Sequence, residues 1–171
     1  MKRTKLLFAL ALALPLLSAT SSMADGFTGA GVTYGMDNGG SLGFRGEYDI
    51  SSMVDHKPVS IVGYYKSASE TFYGISAGTS AFGFTANYDL SKELKVQNRQ
   101  LHPFVGVGME RVTAEAVSPG LPPLIPAAKV SASKIDLSYS FGAKYSINKE
   151  FDVSGSLDSF GGITLGANYK F

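Results

Sequence analysis

Apolar and polar residues alternate with a period of two along much of the chain after residue 25. That is the period of a β-strand, whose successive side chains point to opposite faces. One version of the alternation occurs four times: Phe44-x-Gly46-x-Tyr48-x-Ile50, Phe84-x-Ala86-x-Tyr88-x-Leu90, Phe141-x-Ala143-x-Tyr145-x-Ile147 and Leu165-x-Ala167-x-Tyr169-x-Phe171. Each copy reads large, small, Tyr, large. The residues between them, such as Arg45, Glu47 and Asp49 in the first copy, make a second, polar face. Ser51, Ser91, Asn148 or the end of the chain follows each copy. All four are therefore strand ends, held in one register against something fixed.

Four such endings require four returning strands. The pattern predicts downward strands over 41–50, 72–90, 131–147 and 163–171, and upward strands over 28–35, 59–66, 102–112 and 151–157. Adjacent Tyr64 and Tyr65 leave the facing of the second upward strand open. Within 72–90, Tyr73 and Ile75 fall on odd positions while Phe82, Phe84 and Tyr88 fall on even ones. A bulge near Thr79-Ser80 would reconcile them in one strand. Turn sequences stand at Met36–Gly40, Asn148–Glu150 and Asp158–Gly162. Thr113–Lys129, with Pro119, Pro122, Pro123 and Pro126, reads as a long irregular segment. The expected fold is all-β, an eight-stranded antiparallel up-and-down transmembrane barrel.

A membrane interface is the fixed object that best explains the register. Tyrosine favours that level, with its ring in the apolar layer and its hydroxyl in water. Tyr48, Tyr88, Tyr145 and Tyr169 are thus expected to form an aromatic girdle. Composition agrees: 20 Gly, 9 Tyr, 11 Phe and no Cys. A soluble lipocalin-like carrier would turn the same apolar face inward around a ligand. In the membrane reading, Arg45, Glu47, Asp49, Glu110, Asp136 and Lys144 become lumen charges. Eight strands enclose a space only wide enough for side chains, so these charges should pair and plug it.

The N-terminus carries a different pattern. Lys2, Arg3 and Lys5 precede an apolar run from Leu6 to Leu17, and Ser22-Met23-Ala24 supplies small residues at a cleavage site. This is the layout of a cleaved signal peptide, 1–24, ahead of a barrel over 25–171. Twelve residues of helix reach about 18 Å, short of the roughly 30 Å hydrocarbon core. Losing the three cations takes the formal charge from +1 to −2. That balance gives no hint of nucleic-acid binding.

The last strand, Ile163 to Phe171, ends in an aromatic residue behind alternating apolar positions. With the leader and the length, it makes the chain resemble the small outer-membrane barrels of the OmpX, OmpA-transmembrane-domain and opacity-protein type. The resemblance implies the outer membrane of a Gram-negative bacterium, with its lipid and lipopolysaccharide, as the surroundings. It also implies that Leu165, Ala167, Tyr169 and Phe171 act as the signal read by the barrel-assembly machinery. Roles in such families include adhesion, envelope integrity and, in some branches, lipid modification.

Catalytic chemistry finds little support. His56 and His102 are the only histidines, both at the end opposite the long segment, and there is no cysteine. No nucleophile–base pair stands out, and no cofactor or metal site is expected. Leu121, Leu124 and Ile125, apolar in a proline-stiffened loop, are the candidate contacts for an external partner through 113–129. The expected function is a non-enzymatic surface barrel for envelope integrity or surface interaction. A narrow solute channel is the alternative; a lipid A-modifying enzyme or a soluble carrier ranks lower. N-terminal sequencing of the envelope-bound protein is expected to read from Asp25; a retained Met1 would overturn the leader assignment.

Overall fold

The computed structural model describes residues 26–37, 40–72, 75–118 and 128–171. The expected leader, residues 1–24, and the candidate contacts Leu121, Leu124 and Ile125 lie outside the described residues. The elements are β1 (Phe27–Gly35), β2 (Ser41–Asp49), a 3-10 turn (Ser51–Met53), β3 (Val59–Phe72), β4 (Ile75–Asp89), β5 (Leu101–Ser118), β6 (Ala128–Ser146), β7 (Phe151–Asp158) and β8 (Gly162–Lys170). Each pairs antiparallel with the next, and β8 returns to β1 from Gly29↔Lys170 to Gly35↔Thr164. The sheet is a closed eight-stranded barrel, as the pattern predicted.

Closure follows from the medium. Hydrocarbon offers no partners to backbone N–H and C=O groups, so a spanning sheet must leave no edge. The side chains obey the same logic inverted. Leu137 is 63% exposed and its neighbour Ser138 1% exposed. The outer face carries Val32, Leu42, Phe84, Val105, Val107, Met109 and Leu165, all exposed. The enclosed residues include Thr33, Lys66, Thr85, Asn87, Glu110, Asp152 and Asn168. A soluble barrel would bury the first set, so the lipocalin-like alternative fails. The interior is tight: a Cβ at Gly106 would overlap Asn87 Oδ1.

Two expectations are corrected. No bulge interrupts β4, which pairs with β3 without a register shift from Val59↔Tyr88 to Phe72↔Ile75. The apparent change of phase arises because Ser76, Gly78 and Ser80 occupy the outer face there, where no apolar residue is demanded. Nor is 113–129 irregular throughout. Thr113–Ser118 pairs with Ala128–Ser133 as a continuation of β5 and β6. These strands carry 18 and 19 residues, against 8 or 9 in β1, β2, β7 and β8. One wall is therefore tall. β2 reaches only to Ala68 of β3, and β7 only to Ser140 of β6, so β3–β6 rise beyond the closed ring as a sheet.

Outer-face substitutions should be graded by depth. Val107→Arg, near mid-height, is expected to cost about 2–4 kcal/mol, and Leu137→Arg, nearer the upper edge, less. Folding titrations into lipid vesicles measure both; equal, negligible costs would contradict the lipid-facing assignment.

Candidate functional site

The interior is where most of the ionisable chemistry of the strands collects. Arg45 and Glu47 on β2 and Lys144 on β6 share one inward level. Lys144 Nζ contacts both Glu47 carboxylate oxygens at 2.5 Å, Ser60 Oγ donates to Glu47 Oε1 at 2.7 Å, and Arg45 Nη2 stands 3.8 Å from Glu47 Oε2. Nearer the tall end, Tyr64 of β3 reaches across the lumen. Its hydroxyl donates to Glu110 Oε2 at 2.8 Å and contacts Ser138 Oγ at 2.5 Å. Ser138 Oγ in turn lies 3.3 Å from Ser159 Oγ. Lys66 Nζ spans from β3 to Asp158 Oδ2 of β7 at 2.5 Å, and sits 5.3 Å from the Tyr64 ring centre.

Strand register explains this convergence. Tyr64 and Lys66 share the inward parity of Val62, so the open choice at Tyr64-Tyr65 resolves with Tyr65 outward. The cross-lumen contacts divide the interior unequally. A cavity of about 320 Å³ opens at the tyrosine end, lined by Arg45, Glu47, Asn87, Lys144, Asp152 and Asn168 among others. Above it only about 40 Å³ is left around Tyr64, Lys66, Ser138 and Asp158. The lumen is wide at the tyrosine end and narrows where Tyr64, Lys66, Ser138 and Asp158 meet.

Of the six lumen charges expected from sequence, Arg45, Glu47, Glu110 and Lys144 take part in these contacts. Asp49 and Asp136 do not. Asp49 ends β2 at the vestibule mouth, where its carboxylate accepts from Ser51 N–H at 2.7 Å. Asp136 stands above the last β6–β7 rung, exposed, and pairs with Lys134 at 2.5 Å. The opposite wall does not reach that height, so inward parity no longer means enclosure. Sequence reasoning missed Tyr64, Lys66 and Asp158. Lys66 closed an ambiguous strand, and Asp158 opened a turn sequence. Their shared parity with Val62 and with Asp152 was the available signal.

Tyr48, Tyr88, Tyr145 and Tyr169 all belong to the outward set at one end of the barrel. Tyr88 Oη donates to Glu93 at 2.5 Å and Tyr145 Oη to Gln100 at 2.8 Å, both acceptors lying in the loop below. Leu165, Ala167, Tyr169 and Phe171 line one outward row of the last strand. The Phe171 ring lies 5.4 Å from Tyr169 and 5.3 Å from Phe27 of β1, across the closing seam. His102 Nδ1 is 3.0 Å from Asp89 Oδ2 at the vestibule mouth, and His56 sits in the turn after β2.

An apolar exterior around a polar, charge-paired interior decides the class of protein, and comparison agrees. The family described as "Outer membrane protein beta-barrel domain" matches residues 6–171. The chain belongs to that family. It is a protein of the Gram-negative outer membrane. The N-terminal β-barrel domain of Pseudomonas aeruginosa OprF is similar in fold, with TM-score 0.58 and 14% identity over 87% of this chain and 100% of that one. Neisserial surface protein A (NspA) is similar with TM-score 0.56 and 13% identity over 85% and 95%. At such identities the likeness is one of fold. No curated protein sequence matches the chain.

The plug offers a direct test. Asp158→Asn should leave the Lys66 ammonium without its counter-charge and cost up to about 3–5 kcal/mol, less where lumen water reaches it. Lys66→Met combined with Asp158→Leu should recover most of that loss. Urea unfolding from vesicles, read by heat-modifiable gel mobility, measures both. A single variant as stable as the parent would contradict a structural role for the pair.

Proposed function

We propose that this outer-membrane barrel is a closed, non-enzymatic scaffold that presents its tall β5–β6 hairpin outside the cell for envelope integrity or surface interaction. The observation that carries this is the plug, in which Tyr64–Glu110–Ser138 and Lys66–Asp158 meet across the lumen, with β3–β6 rising beyond it. In this reading the tyrosine end faces the periplasm. Both chain ends of the barrel lie there, and the longest hairpins project the other way, as outer loops do. Connection length alone argues less clearly, because the periplasmic segment 90–100 is not short.

Each group then has a role. The four tyrosines anchor the inner interface. Leu165, Ala167, Tyr169 and Phe171 are the assembly signal, and the seam contacts of Phe171 with Phe27 suit a residue engaged as the barrel closes. Leu121, Leu124 and Ile125, in the segment between β5 and β6, supply contacts to an external partner. A periplasmic start at Asp25 fits the same orientation.

A second reading, a narrow solute channel, draws on the vestibule of about 320 Å³. The Glu47–Lys144 pair and the plug above it stand between this space and the far side. Planar-bilayer recording separates the two. The purified barrel is expected to give little or no steady conductance, whereas reproducible ion-selective steps would establish the channel. An epitope tag inserted at Gly120 should be reached by antibody on intact cells; access only after permeabilisation would invert the topology.

A further inference from the structure

The outer faces of the eight strands are almost free of charge. Among the described residues only Arg111, Glu115 and Lys129 carry charge on outward positions, all on the β5–β6 hairpin. Glu115 and Lys129 pair with each other at 3.2 Å. Arg111 makes no ion pair among the described residues; its Nη2 donates to Ser133 Oγ at 3.1 Å.

Register places this cation with order. Across β4, β5 and β6 the outward rows climb from Tyr88, Val105, Phe141 through Ala86, Val107, Tyr139 to Phe84, Met109, Leu137. Arg111 comes next, between Phe82 and Ile135, which are 69% and 70% exposed. The row above is Ser80, Thr113, Ser133, hydroxyl groups throughout. Arg111 is ten residues along β5 from Leu101, the register partner of the girdle residue Tyr145. At about 3.3 Å per residue and a tilt near 40°, that is about 25 Å, the height of the apolar band of such barrels.

We infer that Arg111 is the phosphate-binding residue of a site for a phosphorylated glycolipid of the outer leaflet. This rests on the orientation proposed above. The layers fit one molecule. Acyl chains lie along Phe84, Met109 and Leu137, the phosphate meets the guanidinium, and sugar hydroxyls meet Ser80, Thr113 and Ser133. A guanidinium fork binds phosphate oxygens in pairs, and Ser133 already orients one nitrogen. The Glu115 carboxylate, two positions higher on the same face, is neutralised by Lys129.

The test uses the whole barrel in detergent micelles. Native mass spectrometry follows the binding of bisphosphorylated lipid A, dephosphorylated lipid A and phosphatidylglycerol. The parent is expected to take up one bisphosphorylated lipid A saturably. Arg111→Gln should weaken that by about tenfold, and Arg111→Lys by less. Glu115→Gln combined with Lys129→Gln, which removes both members of that pair, should bind as the parent does. The dephosphorylated lipid should bind the parent as weakly as the phosphorylated one binds Arg111→Gln. Equal binding by Arg111→Gln, or by the parent to either lipid A, would overturn the site. Equally tight, Arg111-dependent binding of phosphatidylglycerol would overturn the glycolipid as its ligand. The Gly120 tag reports on orientation separately, and heat-modifiable mobility checks that every variant is folded.

Discussion

The pairing of β8 with β1 is the constraint on which the rest depends. A sheet in hydrocarbon leaves every unpaired N–H and C=O unsatisfied, at several kcal/mol each. From Gly29↔Lys170 to Gly35↔Thr164 the two terminal strands remove the last edge. Once the ring is closed, each strand has an outside in lipid and an inside in a narrow tube. Alternation then follows as a requirement on side chains. Phe27, Tyr169 and Phe171 pack over the seam from the outside, adding ring contacts to the backbone ladder.

A tube of eight strands sets the electrostatics of its contents. Lys66 and Asp158 are only 6% and 13% exposed, and lie 92 residues apart in sequence. Charges so enclosed must find each other across the lumen, because water cannot solvate them fully. The pairing that satisfies them also fills the upper half. The cavity at the tyrosine end is left around the contacts of Glu47 with Arg45 and Lys144, the second of which itself spans from β2 to β6.

Unequal wall height gives that exterior its direction. β1, β2, β7 and β8 are barely as long as a crossing needs, while β5 and β6 are about twice their length. Asp136 shows the consequence: inward in parity, yet exposed, because no opposite wall exists at its level. The change from Met109 and Leu137 to Arg111, and then to Thr113 and Ser133, marks where lipid gives way to water on the tall side.

Alternation along the chain was enough to specify the strand count, the two faces and the end at which the tyrosines gather. Those are local properties: a period of two needs only neighbouring residues, and the membrane imposes it wherever a strand crosses. Arg45, Glu47, Glu110 and Lys144 were legible as interior charges for that reason. Where the strands leave the membrane the rule lapses. Ser76, Gly78 and Ser80 then look like a change of phase, and Thr113–Ser118 looks like loop although it is paired throughout. Which charges meet was decided only by tertiary structure. Tyr64 with Glu110, and Lys66 with Asp158, are set by the stagger of strands around a closed ring, which no local pattern encodes.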